Sequence, residues 1–380
     1  MVHINHRFDA GNIEVLKASD PADIRLRIRR DAGDEHAQWF FFQICGARDL
    51  ECRMTLENAG EMSYPEGFHE YRAVASTDGL NWFRVPTAFD GNELVISHQP
   101  PGDSVYYAYF APYSFERHQT LIADALEHEN VRAEVLCRTP DGRPLTLLRI
   151  GEADDHRRRI WITARQHPGE SMAEWWVEGF LDRLLDPQDG VARALLEHAV
   201  VYLVPNMNPD GSVRGHLRVN ACGVNLNRAW RDPDESTSPE VFFVRRRMHE
   251  TGVDVALDVH GDEALPYNFI AGAEGVPRWN DAMETQLKDF KHLLARITPE
   301  FQTRFGYERD APGSADLRKC TDYVAETFGC LSMTLEMPFK DAANHPLPEV
   351  GWSPQRSMKL GAACVDAFWQ TLAGARPGPD

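Results

Sequence analysis

The sequence predicts an α/β protein: a mixed central β-sheet flanked by helices, preceded by an all-β sandwich. Three observations lead there. Turn signals crowd the first third of the chain, with short apolar or alternating runs between them. From residue 114 onward, apolar runs of strand length alternate with stretches of helical periodicity, the pattern of a sheet covered by helices. A chain of 380 residues, 43% hydrophobic and 26% charged, is globular and long enough for more than one domain. The expected division is a sandwich over 1–113, an α/β domain over 114–374 and a frayed Pro/Gly-rich tail at 375–380.

Within the sandwich, Trp39-Phe40-Phe41-Phe42-Gln43-Ile44 is an apolar run of strand length. Arg53-Met54-Thr55-Leu56 alternates polar with apolar, as a half-buried strand does. Turns are signalled at Asn58-Ala59-Gly60, Thr77-Asp78-Gly79, Phe89-Asp90-Gly91 and Pro100-Pro101-Gly102. Between them, strands are expected at 70–76, 81–85, 94–97 and 104–110. A helix follows over 114–129, with Ser114 as its N-cap and Leu121, Ile122, Ala125 and Leu126 on one face. Then come strands at 132–138, 146–151, 159–164, 199–204, 253–258 and 330–335. The helices between and after them are expected at 172–185, 239–250, 285–297 and 355–372.

Charge narrows the function. The balance of 40 Lys+Arg against 58 Asp+Glu gives −18, which argues against nucleic acid and anionic lipid as partners. A local basic cleft inside that total stays open. The seven cysteines form no Cys-x-x-Cys pair and read as reduced thiols. No signal-peptide core lies in the first 20 residues, and the longest apolar runs, such as 199–205, are too short for a bilayer. The expected location is cytoplasmic.

Ligands of α/β sheets bind beyond the carboxyl ends of strands. Four such places hold candidate chemistry. In Arg165-Gln166-His167-Pro168-Gly169-Glu170, His167 and Glu170 are spaced to reach one cation from a turn opening a helix. Alone, that pair equally describes a solvated loop with an acidic helix start. In Asp258-Val259-His260-Gly261-Asp262-Glu263, His260 ends an apolar strand beside two carboxylates, and is either the distant third ligand of a zinc site or a satisfied core histidine. Asp258 either orients His260 or caps the strand. Arg214, Arg218, Asn220, Asn227 and Arg228 follow the turn signal Asn208-Pro209-Asp210-Gly211. A guanidinium beside an amide makes a carboxylate clamp, while a surface ion pair is the plainer reading of Arg228. Glu336, at the end of an apolar strand, is either a desolvated general base or a buried Glu paired with an arginine.

Together these pieces resemble the zinc carboxypeptidases, and among them the cytosolic carboxypeptidase branch. The matching segments stand in family order: His167-Pro168-Gly169-Glu170, Asn208-Pro209-Asp210-Gly211, Leu226-Asn227-Arg228, Asp258-Val259-His260-Gly261 and Thr334-Leu335-Glu336-Met337-Pro338-Phe339. Ser63-Tyr64-Pro65, Trp82-Phe83-Arg84-Val85-Pro86 and Ala108-Tyr109-Phe110-Ala111-Pro112-Tyr113-Ser114 resemble the sandwich that precedes the catalytic domain in that branch. The resemblance implies one zinc per chain on His167, Glu170 and His260. It makes Glu336 the general base toward the attacking water, and Arg218 the group that polarises the scissile carbonyl and stabilises the oxyanion. Asn227 and Arg228 then hold the terminal carboxylate, so the partners are peptide or protein C-termini.

Two departures stand out. Many relatives carry Asp where this chain has Asn225, and use it to orient the first zinc-ligand His. Pancreatic-type relatives place a Tyr upstream of the base, where this chain has Tyr307 in a stretch that matches only roughly. Arg309, Arg318 and Lys319 lie where the side-chain pocket is expected. They either line it, favouring acidic C-terminal residues as in the eukaryotic branch, or are ordinary surface residues. Two further readings remain open: a zinc amidohydrolase of the desuccinylase/aspartoacylase type acting on N-acyl amino acids, and a zinc-binding pseudoenzyme serving as an interaction module.

Overall fold

The structure is a computed structural model that describes residues 2–374, so the expected tail at 375–380 lies outside the described residues. The first part of the chain holds β1 (His3–Asn5), β2 (Glu14–Lys17), β3 (Ile24–Arg27), β4 (Phe41–Cys45), β5 (Cys52–Leu56), β6 (Val74–Ser76), β7 (Phe83–Arg84), β8 (Thr87–Phe89), β9 (Leu94–His98) and β10 (Ser104–Ala108). These strands form two five-stranded sheets, ordered β1-β4-β10-β6-β7 and β2-β3-β5-β9-β8. The apolar run at 39–44 supplies most of β4, whose Phe42 and Ile44 pair with Tyr107 and Val105 of β10. Tyr107 then reaches across to the other sheet, its hydroxyl 2.8 Å from Nδ1 of His98 on β9. Both inner faces enter one core.

Two sandwich expectations change. The strand expected at 70–76 shrinks to β6, because Glu70 sits at φ +57°, outside extended backbone. The strands β1, β2, β3 and β8 were not expected; each is three or four residues long, too short for a periodic signal.

The second part holds α1 (Phe115–Leu126), β11 (Val131–Arg138), β12 (Pro144–Ile150), β13 (Arg158–Ala164), α2 (Met172–Leu184), α3 (Gly190–His198), β14 (Ala199–Val204), α4 (Pro209–Arg214), α5 (Pro239–Thr251), β15 (Val255–Asp262), β16 (Phe269–Ala271), α6 (Asp281–Ile297), α7 (Cys320–Phe328), β17 (Leu331–Pro338) and α8 (Pro354–Gly374). Ser114 caps α1 as expected, its Oγ accepting the Arg117 N–H at 3.1 Å. Leu126, expected on the apolar face of α1, is exposed. Asn208-Pro209-Asp210-Gly211 opens α4: the Asn208 carboxamide accepts the Gly211 N–H at 3.0 Å, with Pro209 in the first turn.

The seven strands order as β11-β12-β14-β13-β15-β17-β16. The four central strands run parallel, while β11, β12 and β16 pair antiparallel, so the sheet is mixed. Alternation sorts its side chains into two cores. Ile160, Ile162, Val201 and Leu203 join Trp176, Phe180, Leu195 and Phe368 of α2, α3 and α8 on one face. On the other, Trp161, Val200 and Tyr202 join Val241, Val244 and Met248 of α5 and Val324 of α7. The sandwich shares the first of these cores: Tyr109 stacks on Phe339 with ring centroids 4.6 Å apart. Among the described residues, no helix is long and apolar enough to cross a membrane.

One correction bears on the site. Strands expected at 253–258 and 330–335 run on to Asp262 and Pro338, so His260 and Glu336 lie inside β15 and β17 rather than at strand ends. Pairing between the two strands continues through Asp262 and Pro338, which extends them past the apolar runs visible in the sequence.

Candidate metal centre and active site

The first two candidate ligands come from the turn between β13 and α2. Arg165 opens it in the left-handed region, at φ +56°. Its buried guanidinium holds the turn shut, donating to the carbonyls of Pro168 (2.8 Å) and Tyr113 (2.9 Å) and pairing with buried Glu174. Gly169 is needed for closeness: its N–H donates to the Leu217 carbonyl at 2.9 Å, and a Cβ would meet that oxygen at 3.0 Å. The turn aims His167 and Glu170 inward.

The third candidate ligand comes from β15. His260, Glu170 and His167 are all buried, with one donor atom from each lying within 4.8 Å of the others. Nδ1 of His167 is 2.6 Å, and Nδ1 of His260 2.7 Å, from the two oxygens of Glu170. The Nε2 atoms face other partners: Asn225 Oδ1 at 3.1 Å for His167, and Asp258 Oδ2 at 2.7 Å for His260. Asp258 is held in turn by Thr163 Oγ1 (2.8 Å) and Gln166 Nε2 (2.5 Å), and Gln166 by the Trp230 indole (2.8 Å). Two imidazole nitrogens and one carboxylate, with second nitrogens anchored, are the donor set of a zinc site with an open position.

Electrostatics fit that reading. Burial and the Arg218 guanidinium push His167 down to about 4, leaving a neutral ring whose nitrogen can bind a cation. Burial works against the charge of Glu170, yet His167 and His260 hold it well below the carboxylate range. Burial also opposes charge on His260, but Asp258 and Glu170 raise it well above an ordinary histidine.

Glu336 stands beside the ligands because β15 and β17 pair with His260 opposite Glu336. Its Oε2 is buried without a hydrogen-bond partner. Burial raises its pKa well above the usual value; Glu170, Asp262 and Glu263 add to this and His260 opposes it. No arginine pairs with it among the described residues. Tyr307 is brought to the same place by the loop before α7. Its hydroxyl donates to Asp262 Oδ2 (2.6 Å) and lies 3.2 Å from Glu336 Oε1, while its ring meets Phe269 edge-on at 4.8 Å.

The cations face the same cleft. Arg218 is half-buried and packs over the Tyr64 ring at 5.8 Å; no acid pairs with it among the described residues. Arg228 donates to the Asn227 carbonyl at 2.6 Å, and among the described residues its acid partner is Asp316, at 3.9 Å; burial followed by Arg218 lowers its pKa. Asn227 Oδ1 accepts the Cys320 N–H (2.8 Å) at the start of α7. Its amide nitrogen lies 3.4 Å from His260 Nε2. The remaining expected pocket residues are engaged or displaced. Arg309 is exposed and paired with Glu284, and Arg318 is exposed and paired with Asp316. Lys319 sits at the N-cap of α7, with Asp322 as its acidic neighbour. Arg214, read as part of the clamp region, pairs with Asp141 instead.

Sequence reasoning missed Asp31, and took Asp262, Glu263, Tyr64 and Gln166 only as parts of longer segments. Glu263 is buried, and its pKa is raised well above normal by that burial and by Glu170 and Asp262. A signal existed for Gln166, which sits beside His167; none existed for Asp31, whose partners lie far along the chain.

Comparison with known proteins agrees with this geometry. Residues 4–110 match the cytosolic carboxypeptidase N-terminal domain, and residues 122–356 match the zinc carboxypeptidase family. The crystal structure of a metallo-carboxypeptidase from Burkholderia cenocepacia is 46% identical, with a TM-score of 0.97 over 99% of this chain and 100% of that one. A metallo-carboxypeptidase from Pseudomonas aeruginosa, solved in complex with (2-guanidinoethylmercapto)succinic acid, is 45% identical, with a TM-score of 0.95 over 98% of this chain and 100% of that one. Cytosolic carboxypeptidase 3 of Mus musculus is 29% identical over 329 residues, which are 77% of this chain and 32% of the mouse protein. The chain thus spans about a third of the length of that relative. The two family matches cover most of the sequence, and the chain belongs to the zinc carboxypeptidase family, with the cytosolic carboxypeptidase N-terminal domain ahead of its catalytic fold.

Proposed function

We propose that this enzyme hydrolyses the last peptide bond of peptides or proteins with a free C-terminus. One observation carries the reading: Glu336, its Oε2 buried without a partner, stands on the strand beside His260 and near two under-compensated arginines. Arg228 and the amide nitrogen of Asn227 bind the terminal carboxylate, which relieves the desolvation cost of a half-buried cation. Arg218 lies toward His167 and stabilises negative charge developing on the scissile carbonyl oxygen. Glu336 takes a proton from the attacking water as its oxygen bonds the carbonyl carbon. It then delivers that proton to the departing nitrogen as the C–N bond breaks. His167, Glu170 and His260 would hold one zinc, which would supply a Lewis acid and make the attacking water more acidic. The Tyr307 hydroxyl, 3.2 Å from Glu336 Oε1, is placed to orient that carboxyl.

Arg309 and Arg318 are committed to acids of this chain, and Lys319 stands at the start of α7 near Asp322, so the basic lining that would favour acidic tails is largely neutralised. The ligand of the Pseudomonas relative is a succinic acid, whose carboxylates are the kind of group Arg228 and Asn227 are placed to hold. We read the sandwich over 1–113 and the α/β unit over 114–374 as two domains sharing one core. Seven unpaired cysteines favour a reducing, cytoplasmic setting, and neither nucleic acid nor a membrane is expected as a partner.

The test combines metal and base. 1,10-Phenanthroline abolishes cleavage of C-terminal peptide libraries, and zinc restores it. Glu336→Gln keeps near-stoichiometric zinc while turnover falls about 10²–10⁴-fold. Loss of zinc in that variant would make Glu336 a ligand. Faster hydrolysis of N-acetyl or N-succinyl amino acids than of peptides would assign the amidohydrolase activity, and full metal without any turnover the pseudoenzyme.

A further inference from the structure

We propose that Asp31, in the sandwich, is a positioning residue for Arg218, so that the N-terminal domain sets the geometry of the carbonyl-polarising group. The proposal rests on the reading of Arg218 given above. Asp31 is 3% exposed, and its two oxygens accept three consecutive backbone N–H groups: Leu217 at 2.6 Å, Arg218 at 2.7 Å and Val219 at 3.1 Å. Successive N–H groups converging on one carboxylate hold a segment more tightly than any single bond.

Neighbouring contacts repeat the pattern. The Ala32 N–H, next to Asp31, donates to Nε2 of His216 (3.1 Å), whose Nδ1 donates to the Val219 carbonyl (3.0 Å). Asn12, also in the sandwich, donates from Nδ2 to the Gly215 carbonyl at 2.8 Å. The same loop accepts the Gly169 N–H from the turn that carries His167 and Glu170. Residues 215–219 are therefore clamped between the sandwich on one side and the metal-binding turn on the other.

Arg218 needs such a clamp. Its side chain makes no ion pair or hydrogen bond among the described residues; its recorded side-chain neighbour is the Tyr64 ring, which also belongs to the sandwich. The guanidinium is therefore free to meet substrate, and its position comes from the backbone that Asp31 fixes. In Asp31→Asn, an amide N–H₂ faces converging N–H donors and drives the loop away.

The experiment is a double-mutant cycle on the zinc-loaded enzyme with a peptide substrate. Asp31→Asn is expected to lower kcat about 10–100-fold, with KM within about twofold and zinc content unchanged. In an Arg218→Ala background, the same change is expected to add less than about twofold, because the positioned group is gone. A full multiplicative loss in that background, or an unmoved kcat in Asp31→Asn alone, overturns the proposal. Unimpaired kcat in Arg218→Ala overturns the underlying role of Arg218, and the positioning proposal with it. Should Asp31→Asn fail to fold, Asp31→Glu carries the same cycle: it keeps the charge but shifts the loop by a methylene.

Discussion

At Asn225 an amide, and not a carboxylate, holds the His167 ring, and the consequence is measurable. The Asn225 carbonyl accepts from Nε2 without charge, so Nδ1 gains less basicity than a carboxylate would provide. Asn225→Asp is expected to tighten zinc about tenfold, read by competition against a chromogenic chelator. A second expectation concerns pH. Asp258 and Glu170 keep His260 protonated well above the usual histidine range while no cation is bound. Zinc must displace that proton, so zinc affinity should rise with pH through neutrality. Titrating affinity between pH 6 and 8 checks the sign; a flat profile would place the displaced proton elsewhere. Tyr307 belongs to the same scale. Its segment match was loose because a loop position is set by where the loop lands, and only the fold brings its hydroxyl to Glu336.

Among the elements, α2 and α8 cross at a pair of glycines. A Cβ on Gly361 would lie 2.1 Å from the Trp176 carbonyl oxygen, and one on Gly179 would lie 2.1 Å from that of Met358. Helix propensity alone would make Gly361→Ala stabilising by about 1 kcal/mol. The crossing reverses the sign: backbone on the facing helix cannot yield locally, so the variant should lose about 1–3 kcal/mol by urea unfolding. On α5, Glu240 is buried against Asn220, and burial raises its carboxyl to about 7. Between its unfolded value near 4.5 and about 7, the folded state holds the extra proton, so this group's contribution to stability falls as pH rises through that window. Glu240→Gln should therefore melt higher than the parent at pH 8, and the gap should narrow at pH 5. Equal gaps at both pH values would show that Glu240 does not titrate there.

Over the whole molecule, the net charge of −18 repels acidic tails and attracts basic ones, while Arg218 and Arg228 reverse the sign inside the cleft. kcat/KM for peptides with acidic upstream residues should therefore rise with ionic strength, and that for basic ones fall; matched slopes would mean that only the cleft is felt. That His167, Glu170 and His260 belong together, and where the main strands fall along the chain, was legible from residue order. Helix caps, apolar periodicity and short motifs are local, and a ligand such as His167 keeps its spacing to Glu170 wherever the turn lands. What tertiary structure decided was proximity across the chain. Parallel register puts Glu336 beside His260. Glu284 and Asp316 neutralise the arginines expected to line the pocket. Asp31 closes on N–H groups as many as 188 positions away. Contacts of that span join groups that share no periodicity and no local spacing, so they become visible only once the two cores have packed.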